Sequence, residues 1–381
     1  MNVGRPACDV LIVGGGPAGL ASAIAAARQG LHVEVIDAMK PPIDKACGEG
    51  LMPDSLEALA AIGVTNLDQI LRQTENHLLR GIRFLGDTSP THTITTEAAF
   101  PQNPGRGIRR TILHQILLDR AASLGVRFHW ENSVQSIAPT AEGTLVHSNR
   151  QTLRARYLIG ADGPGSRVAT WAGLTEASIH SRRIGLRQYY TIAPWTDFVE
   201  VYWSNFGQAY VTPNSSSEVC VAFIANKKFS SSEAALSHFP ALRHHLAASQ
   251  PNGPARGSIT LGRKLRRVTN GNIALIGDAS GSVDAVTGEG MALCFRQAAA
   301  LSLALRAGDL ALYQQAHRRI QRLPSLMSRS LLLMDRSPLL RNTVLRTFQR
   351  NPWIFERLLQ MHIGYSPLQS FNTEGLHILT G

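Results

Sequence analysis

Three glycines and one acid near the start of the chain have the spacing of a site for nucleotide phosphates. Gly14, Gly16 and Gly19 follow the apolar run at 10–13, and Asp37 closes a second apolar run. In such a pattern the first glycine permits a tight turn, the second lets the backbone approach a pyrophosphate, and the third lets the next helix pack on the strand. The helix N-terminus then faces the phosphates, and the acid accepts a ribose hydroxyl. The pattern predicts a dinucleotide-binding strand–helix–strand unit.

The elements around this turn must hold it in place. An alanine-rich helix over 20–29 ends at Gly30, and a strand over 31–37 returns to the turn. We also expect the following elements: a helix over 54–75, a second amphipathic helix that ends at Gly125, strands at 126–136, 143–148, 153–160 and 272–276, a sheet over 175–262, and a long helix over 290–306. Because the motifs are widely separated, these elements indicate interleaved domains.

Composition and charge limit the classes of function that we expect for this chain. The 381 residues carry a formal charge of +11, spread in short basic pairs, and the 6% of aromatic residues form no stacking platform, so we do not expect a nucleic-acid partner. The four cysteines have neither metal-ligand nor CxxC spacing, so no metal site is expected. The near-apolar stretch 10–27 contains glycines and a proline, which favours a buried strand and helix over a membrane span. We therefore expect a cytoplasmic protein, with peripheral membrane contact as an option.

Two further motifs follow short strands. One is Gly160-Ala-Asp162-Gly-Pro-Gly-Ser-Arg167, and the other runs from Gly277-Asp278 to Gly290-Met291. Alone, the first could be a β-turn and the second a helix cap. Together with the Gly14 turn, and in this order, the motifs resemble those of the FAD-dependent oxidoreductases of the para-hydroxybenzoate hydroxylase and geranylgeranyl reductase superfamily. The resemblance covers roughly the first 300 residues.

The resemblance implies an α/β fold. Its parts would be a Rossmann-like FAD-binding domain of the glutathione-reductase kind, an interleaved sheet-rich substrate domain and a helical C-terminal region. We predict that the FAD-binding domain comprises 1–75, 100–174 and 263–306, the substrate domain 76–99 and 175–262, and the C-terminal region 307–381.

The resemblance also implies the site. Asp278 would contact the ribitol and pyrophosphate of FAD, the segment 284–291 would approach the flavin ring, and Arg110 would lead into an FAD-contacting helix. The cofactor-binding residues expected on this basis are Gly14, Gly16, Pro17, Ala18, Gly19, Asp37, Cys47, Gly48, Arg110, Asp162, Gly277, Asp278, Gly288, Gly290 and Met291. Cys47, Glu49 and Glu289 are the candidate catalytic residues near the ring, although Cys47 could equally be a small buried residue in a tight loop.

Several reactions remain open at this stage, because one fold supports many. The segment at 207–213 lacks the tryptophan pair of the family's halogenases, which disfavours halogenation. The segment Lys45-Ala-Cys47-Gly-Glu-Gly is similar to that of geranylgeranyl reductases, but the match elsewhere is partial. The leading hypothesis is a monooxygenase that hydroxylates a hydrophobic small molecule, with aromatic and polyketide-like compounds as candidates. The alternatives are a reductase of isoprenoid double bonds and a flavin-binding protein without turnover.

The reductant and the C-terminal tail are also open. There is no second complete GxGxxG unit, so NADPH or NADH would bind transiently, or a partner reductase would deliver electrons. The leucine- and arginine-rich segments after Arg306 indicate helices that pack on the core, or a ramp for a lipophilic substrate with arginines towards anionic headgroups.

Overall fold

The computed structural model describes residues 8–89 and 92–364. The strands are β1 (Cys8–Val13), β2 (Val33–Ile36), β3 (Gly50–Leu51), β4 (His77–Leu79), β5 (Gly81–Ser89), β6 (His92–Ala99), β7 (Gly105–Gly107), β8 (Arg127–His129), β9 (Val134–Thr140), β10 (Gly143–Ser148), β11 (Thr152–Gly160), β12 (Ala177–Thr191), β13 (Phe198–Trp203), β14 (Gly207–Ser215), β15 (Glu218–Ala225), β16 (Gln250–Leu265), β17 (Thr269–Asn270), β18 (Ile273–Leu275) and β19 (Gly281–Ser282). The helices are α1 (Pro17–Arg28), α2 (Pro53–Ile62), α3 (Leu67–Arg72), α4 (Arg110–Ser123), α5 (Arg167–Trp171), α6 (Ser232–Leu236), α7 (Pro240–His245), α8 (Gly290–Ala307), α9 (Leu310–Arg336), α10 (Pro338–Arg350) and α11 (Pro352–His362), with 3₁₀ turns at Gly277–Ser280 and Ala285–Thr287.

The first sheet has β1 at its centre. Its strand order is β17-β18-β11-β1-β2-β8, and β1, β2, β8, β11 and β18 are parallel, while β9 and β10 form an antiparallel extension of β11. Val10 pairs with Val33 on one side and with Tyr157 on the other. Helices α1, α4 and α8 share one hydrophobic core with the central strands, whose residues are nearly all buried. The predicted α/β class is confirmed.

The second sheet has eight strands in the order β19-β16-β12-β15-β14-β13-β5-β6. All its pairs are antiparallel except β13 with β5. A third sheet, β3-β7-β4, packs against β14 of the second sheet and against α2. Since β19 lies within the motif that begins at Gly277, its pairing with β16 attaches that motif directly to the second sheet.

The C-terminal helices pack on the second sheet. Phe348 of α10 stacks on Phe355 of α11 at 5.3 Å between ring centroids, and Phe355 lies 4.7 Å from Phe84 of β5. These rings belong to a core that also contains Trp203 and Leu345. Within the described residues, no helix is both long enough and apolar enough to cross a bilayer.

Two predicted elements are wrong in extent. The helix expected over 54–75 divides into α2 and α3 because Gly63 takes a left-handed conformation with φ 103° and ends α2. The strand expected over 126–136 divides into β8 and β9, since the chain turns between them and Glu131 has φ 54°. The domain boundaries stay predictions, and their parts at 1–7, 90–91 and 365–381 lie outside the described residues.

Candidate functional site

The glycine-rich turn joins β1 to α1 by close backbone contacts. Gly14 has φ 114°, and a Cβ added there would lie 2.4 Å from the carbonyl oxygen of Ala161. A Cβ at Gly19 would lie 1.9 Å from the carbonyl oxygen of Gly14. Only glycine fits either position without a shift of backbone. Gly19 is therefore the packing glycine of the motif, and it does not line the cavity described below.

The N-terminus of α1 opens onto that cavity. Gly16 is the N-cap residue and provides no side chain to cap the helix, and Pro17 begins it. Free N–H groups and the positive end of a helix favour a phosphate at this place. Asp37 lies beside the turn, where its carboxylate accepts hydrogen bonds from the N–H of Gly15 (2.7 Å) and of Met39 (2.8 Å). Gly14, Gly16, Pro17, Ala18 and Asp37 all line the cavity.

Two aromatic side chains missed from the sequence support the turn from behind. Nε2–H of the buried His114 donates to the carbonyl oxygen of Gly15 at 2.8 Å, and burial lowers the pKa of this histidine. Trp130 covers the α-carbon of Gly15, where an added Cβ would lie 2.3 Å from the indole ring. Both residues lie far along the chain, so local spacing gave no signal for them.

Arg110 and Asp278 face each other across the phosphate end of the cavity. Nη2 of Arg110 would lie 3.9 Å from a Cβ at Gly16, and its buried Nε has no hydrogen-bond partner among the described residues. The Asp278 carboxyl is surrounded by protein but open to the cavity. Burial raises its pKa, although the positive charges of Arg110, Lys45 and Arg263 act to lower it. A cationic donor without a full set of partners is what an incoming pyrophosphate would satisfy.

A second glycine brings the Asp278 motif against α1. A Cβ at Gly277 would lie 2.7 Å from the Cβ of Ala18, so the two motifs meet without side chains between them. The N–H of Gly277 donates to Oε1 of Gln297 on α8 at 2.9 Å. The structure thus brings together motifs that are far apart in the sequence.

Asp162 has a structural role in addition to its place in the cavity wall. Its carboxylate accepts hydrogen bonds from Ser166 Oγ (2.6 Å), Arg167 N (2.8 Å) and Val168 N (3.2 Å). These bonds hold the start of α5. Both carboxylate oxygens are already engaged, so cofactor contact at this motif would fall to its backbone and to Gly163.

The segment predicted to face the flavin ring leads into α8. Gly288 and Gly290 are exposed towards the cavity, with nothing within 4 Å of an added Cβ, and Met291 lies beside them. The positive end of the 18-residue helix α8 therefore points into the cavity. A helix N-terminus in this position stabilises negative charge on a bound ring.

Asp284 ties this segment to the second sheet. Its carboxylate accepts from Ser181 Oγ (2.5 Å) and from Nη1 of the fully buried Arg183 (3.2 Å). Arg183 also donates to Gln208 and lies 3.7 Å from Asp335 of α9. The ring-facing segment, the sheet and the C-terminal helices are thus joined by one buried charge network.

Glu49 is a buried junction rather than a free carboxylate. It has φ 61°, and its carboxylate accepts from Tyr189 Oη, from Asn214 Nδ2 (2.6 Å) and from the N–H of Arg110 (3.1 Å). Burial raises the pKa of Glu49, although these hydrogen bonds act to lower it. Its partners come from three separate elements, which explains why the sequence suggested Glu49 but not what holds it.

Cys47 presents its thiol to the cavity next to Arg110. Sγ accepts the N–H of Glu49 at 3.4 Å, and burial raises the pKa of the thiol although Arg110 opposes the shift. Gly48 lines the same wall, and its carbonyl oxygen accepts from Thr212 Oγ1 at 2.7 Å. The thiol is therefore protonated at neutral pH.

Glu289 turns away from the cavity. It is 4% exposed, does not line the cavity, and places Oε1 3.5 Å from Nδ1 of His362. Its backbone begins α8, so the chain direction there sends the side chain beneath the ring-facing segment. The geometry supports a positioning role, and the predicted catalytic role has no support from it.

The glycine-rich turn, the Gly277 motif and the Cys47 segment surround one cavity of about 620 Å³. Its first half is polar and carries the charged residues, among them Asp37, Lys45, Arg110 and Asp278. Its second half is formed by the second sheet and by Met52, and the sheet contributes Val199, Tyr210, Thr212, Ala222, Ile224 and 258–261. The sequence predicted a sheet here, but no spacing identified which of its side chains face inwards.

Comparison with known proteins agrees with this site. Residues 7–308 match the model of the FAD binding domain family, and the chain belongs to that family. The orphan Nε of Arg110 and the glycine cradle at Gly14, Gly16 and Gly277 fit an FAD pyrophosphate. The protein is an FAD-dependent oxidoreductase. The contacts of individual residues with FAD stay predictions.

Curated relatives carry two kinds of name. The chain is 27% identical to a menaquinone reductase of Mycolicibacterium smegmatis over 303 residues, which cover 74% of the chain and 72% of the relative. It is 26% identical to digeranylgeranylglycerophospholipid reductase 1 of Methanothermobacter thermautotrophicus over 301 residues, covering 74% and 73%. An FAD-dependent monooxygenase of Aspergillus terreus is 31% identical over 180 residues, which cover 44% of the chain and 24% of that protein.

Solved structures share the fold. A flavoprotein/dehydrogenase from Cytophaga hutchinsonii superposes with a TM-score of 0.79 at 19% identity, covering 94% of this chain and 93% of the other. The halogenase PltM, in complex with phloroglucinol and FAD, gives a TM-score of 0.73 at 16% identity, covering 84% and 76%. The interleaved FAD-binding fold expected from the motifs is confirmed.

Proposed function

We propose that the protein is an FAD-dependent reductase that saturates a carbon–carbon double bond in the prenyl chain of a lipid. The observation that carries the proposal is the division of the cavity into a part with charged side chains and a part, formed by the second sheet, without them. The part of the wall that the second sheet contributes contains no charged side chain among the described residues. A substrate with its own charge would need a buried partner there, whereas a hydrocarbon chain needs none.

The uncharged half also offers apolar side chains to a hydrocarbon chain. Val199, Ala222 and Ile224 are buried residues of the central strands of the second sheet, and they line the cavity together with Met52. Burial of a prenyl chain against such side chains contributes about 0.8 kcal/mol for each methylene removed from water. The wall thus favours a long hydrocarbon.

Saturation of a double bond adds a hydride to one carbon and a proton to the other. FAD, once reduced, supplies the hydride equivalent. The proton has to come from an acid at the cavity wall, and Cys47 meets this need because its raised pKa keeps the thiol protonated. Tyr210 lines the same cavity, but its hydroxyl already donates to the carbonyl oxygen of Val286 at 2.8 Å. Cys47 is therefore the proposed proton donor.

The relatives give independent support. Menaquinone and digeranylgeranylglycerophospholipid both carry prenyl chains, and the proteins with these names match about three quarters of this chain. The similarity of the Cys47 segment to that of geranylgeranyl reductases points in the same direction. NADPH or NADH is the proposed source of electrons, bound transiently, with a partner reductase as the alternative.

A flavin monooxygenase is the second candidate. It is supported by the match to an FAD-dependent monooxygenase over 180 residues. The same uncharged wall would serve a hydroxylation, which requires little from side chains beyond substrate placement.

Anaerobic single-turnover experiments separate the two candidates. The holoenzyme is reduced, excess reductant is removed, and flavin absorbance is followed after addition of a geranylgeranyl lipid, which has no quinone group, without oxygen. Reoxidation of the flavin by the lipid alone is expected for the reductase. If the flavin stays reduced until oxygen is admitted, and oxygen then yields hydroxylated lipid, the monooxygenase replaces it.

A further inference from the structure

Helix α9 carries an exposed stripe of arginine and leucine along its outer face. Positions separated alternately by three and four residues lie on one side of a helix. On α9 they are all exposed, and they are Leu312, Gln315, Arg319, Arg322, Leu326, Arg329, Leu333 and Arg336. Leu326 is 62% exposed and Leu333 52%. We refer to these eight residues as the Arg–Leu face.

The next two helices extend this surface. Leu339, at the start of α10, is 83% exposed, and Trp353, at the start of α11, is 65% exposed. Arg346 and Arg350 lie seven and eleven positions after Leu339, which places them on the same side of α10. Leu339 and Trp353 are among the most exposed large apolar residues that the structure describes.

The charge of this surface is of one sign. Residues 310–350 contain eight arginines and a single acid, Asp335. Asp335 is already engaged, because its carboxylate accepts from Gln208 Nε2 at 2.6 Å and from Asn226 Nδ2 at 3.1 Å. None of the arginines on the Arg–Leu face forms an ion pair with a residue that the structure describes, although Arg329 contacts His180 at 3.4 Å.

The opposite face of α9 borders the cavity. Gln321 lines the cavity wall, and its Nε2 donates to the carbonyl oxygen of Gly281 at 3.4 Å. One helix, about 10 Å in diameter, therefore separates the cavity from the Arg–Leu face. Ile259, which lines the cavity, is 50% exposed and marks its open side.

We propose that the Arg–Leu face, together with Leu339 and Trp353, docks the protein on an anionic phospholipid bilayer. Guanidinium groups bind lipid phosphates in bidentate fashion, and exposed leucine and tryptophan enter the boundary between headgroups and acyl chains. Nucleic acid would use the arginines but gain nothing from the leucines between them. Docking on this face places the lipid within one helix diameter of the cavity.

Cosedimentation of the holoprotein with vesicles tests this surface without any turnover. Vesicles of phosphatidylglycerol and phosphatidylcholine in equal parts should bind the protein in a salt-sensitive manner, and pure phosphatidylcholine vesicles should not. The triple variant Arg319→Glu/Arg322→Glu/Arg346→Glu should weaken binding at least about a hundredfold, since each basic residue near such a surface contributes about a fivefold effect.

A matched control carries the same change of charge elsewhere. Lys227, Lys228 and Arg243 are exposed residues outside the C-terminal helices, and their replacement by glutamate should leave most of the vesicle binding intact. The pair Leu339→Ser/Trp353→Ser should weaken binding about tenfold without altering its salt dependence. Flavin content, measured by absorbance, reports that each variant is folded.

Four results would overturn the proposal. The first is absence of binding to anionic vesicles, and the second is an equal loss of vesicle binding in both triple variants. The third is tighter binding to a DNA fragment than to vesicles. The fourth is a dimer, detected by light scattering, that becomes a monomer in the Leu339→Ser/Trp353→Ser variant. None of these bears on double-bond reduction, which is measured separately on lipid in detergent.

Discussion

Oε1 of Glu289 lies 3.5 Å from Nδ1 of His362, directly beneath the segment that faces the cavity. Nε2–H of His362 donates to the carbonyl oxygen of Thr287 at 3.1 Å, which leaves Nδ1 as an acceptor. Burial raises the pKa of Glu289 to about 8 and lowers that of His362. At neutral pH the pair is therefore a protonated acid beside a neutral imidazole, and it joins α11 to the start of α8.

Stability should depend on pH through Glu289. Its pKa is higher in the folded than in the unfolded protein, so the folded state holds the extra proton between about pH 4.5 and pH 8. Stability conferred by the proton is lost as pH rises through this window. Glu289→Gln, which cannot ionise, should raise the free energy of unfolding at pH 8 by at least about 1 kcal/mol relative to wild type. Urea unfolding at pH 5.5 and pH 8 measures this, and equal pH slopes for both proteins would contradict it.

Asp278 and Asp37 should differ in their effect on FAD. Asp278→Ala is expected to yield largely apoprotein, because the carboxyl faces the cavity together with Arg110. Asp37→Ala should weaken FAD more mildly, since two backbone N–H groups already use its oxygens. The flavin-to-protein absorbance ratio after purification, followed by FAD titration, compares them. Asp309→Ala removes an exposed helix cap outside the cavity and should leave the ratio unchanged. Full flavin content in Asp278→Ala would refute the assignment of this motif.

Gly19→Ala should be strongly destabilising. The added methyl would meet the carbonyl oxygen of Gly14, a backbone atom that moves only with β1 and α1. We expect a loss of about 2 kcal/mol or more, typical of overpacking at a rigid contact. Gly165→Ala is the control, because nothing lies within 4 Å of its added methyl, and it should change stability by less than about 0.5 kcal/mol. Thermal unfolding distinguishes them, and equal melting temperatures would show that the turn is not close-packed.

The buried pair of Arg183 and Asp284 should be worth far more than an exposed pair. Asp284→Asn leaves a guanidinium with 0% exposure without its nearest charge, so we expect a loss of about 3 kcal/mol in urea unfolding. Glu176→Gln breaks the exposed pair with Arg266, where both side chains are about 70% exposed, and should cost less than about 1 kcal/mol. Similar costs for the two variants would mean that Asp335 compensates for Asp284.

Cys47→Ala should slow lipid reduction without affecting cofactor binding. Loss of a positioned proton donor typically costs about a hundredfold in kcat. The rate of flavin reduction by nicotinamide and the flavin content should stay close to wild type, because neither needs the thiol. Cys8→Ala, at a buried residue of β1 outside the cavity, is the matched control. An unchanged kcat in Cys47→Ala would remove the thiol from the reaction.

The sequence identified the parts of the candidate site in which backbone atoms make the close contacts. Gly14, Gly19 and Gly277 are required by close approaches within or next to one strand–turn–helix unit, so short motifs identified them. Asp284 belonged to such a motif, but its partner Arg183 lies on β12, and no local pattern joins the two. The orientation of Glu289 likewise depends on α11, which packs over the start of α8 only in the folded chain.

The helices and strands show the same difference between features set by local sequence and features set by distant residues. Long buried elements such as β11 and α8 were predicted to within about two residues, because periodicity determines them. The turn between β8 and β9 contains Trp130, which packs against Gly15 in another part of the chain. The inward-facing residues of the second sheet depend on its pairing over 81–265, and alternation alone does not fix which face is covered.

The most direct test of the proposed reaction is the mass of its product. The reduced holoenzyme is incubated without oxygen with menaquinone and with a geranylgeranyl lipid, and the lipids are analysed by mass spectrometry. Double-bond reduction predicts a gain of two hydrogen atoms on the prenyl chain. Unchanged lipid without oxygen, and a gain of one oxygen atom when oxygen is supplied, would contradict the reductase and identify a monooxygenase.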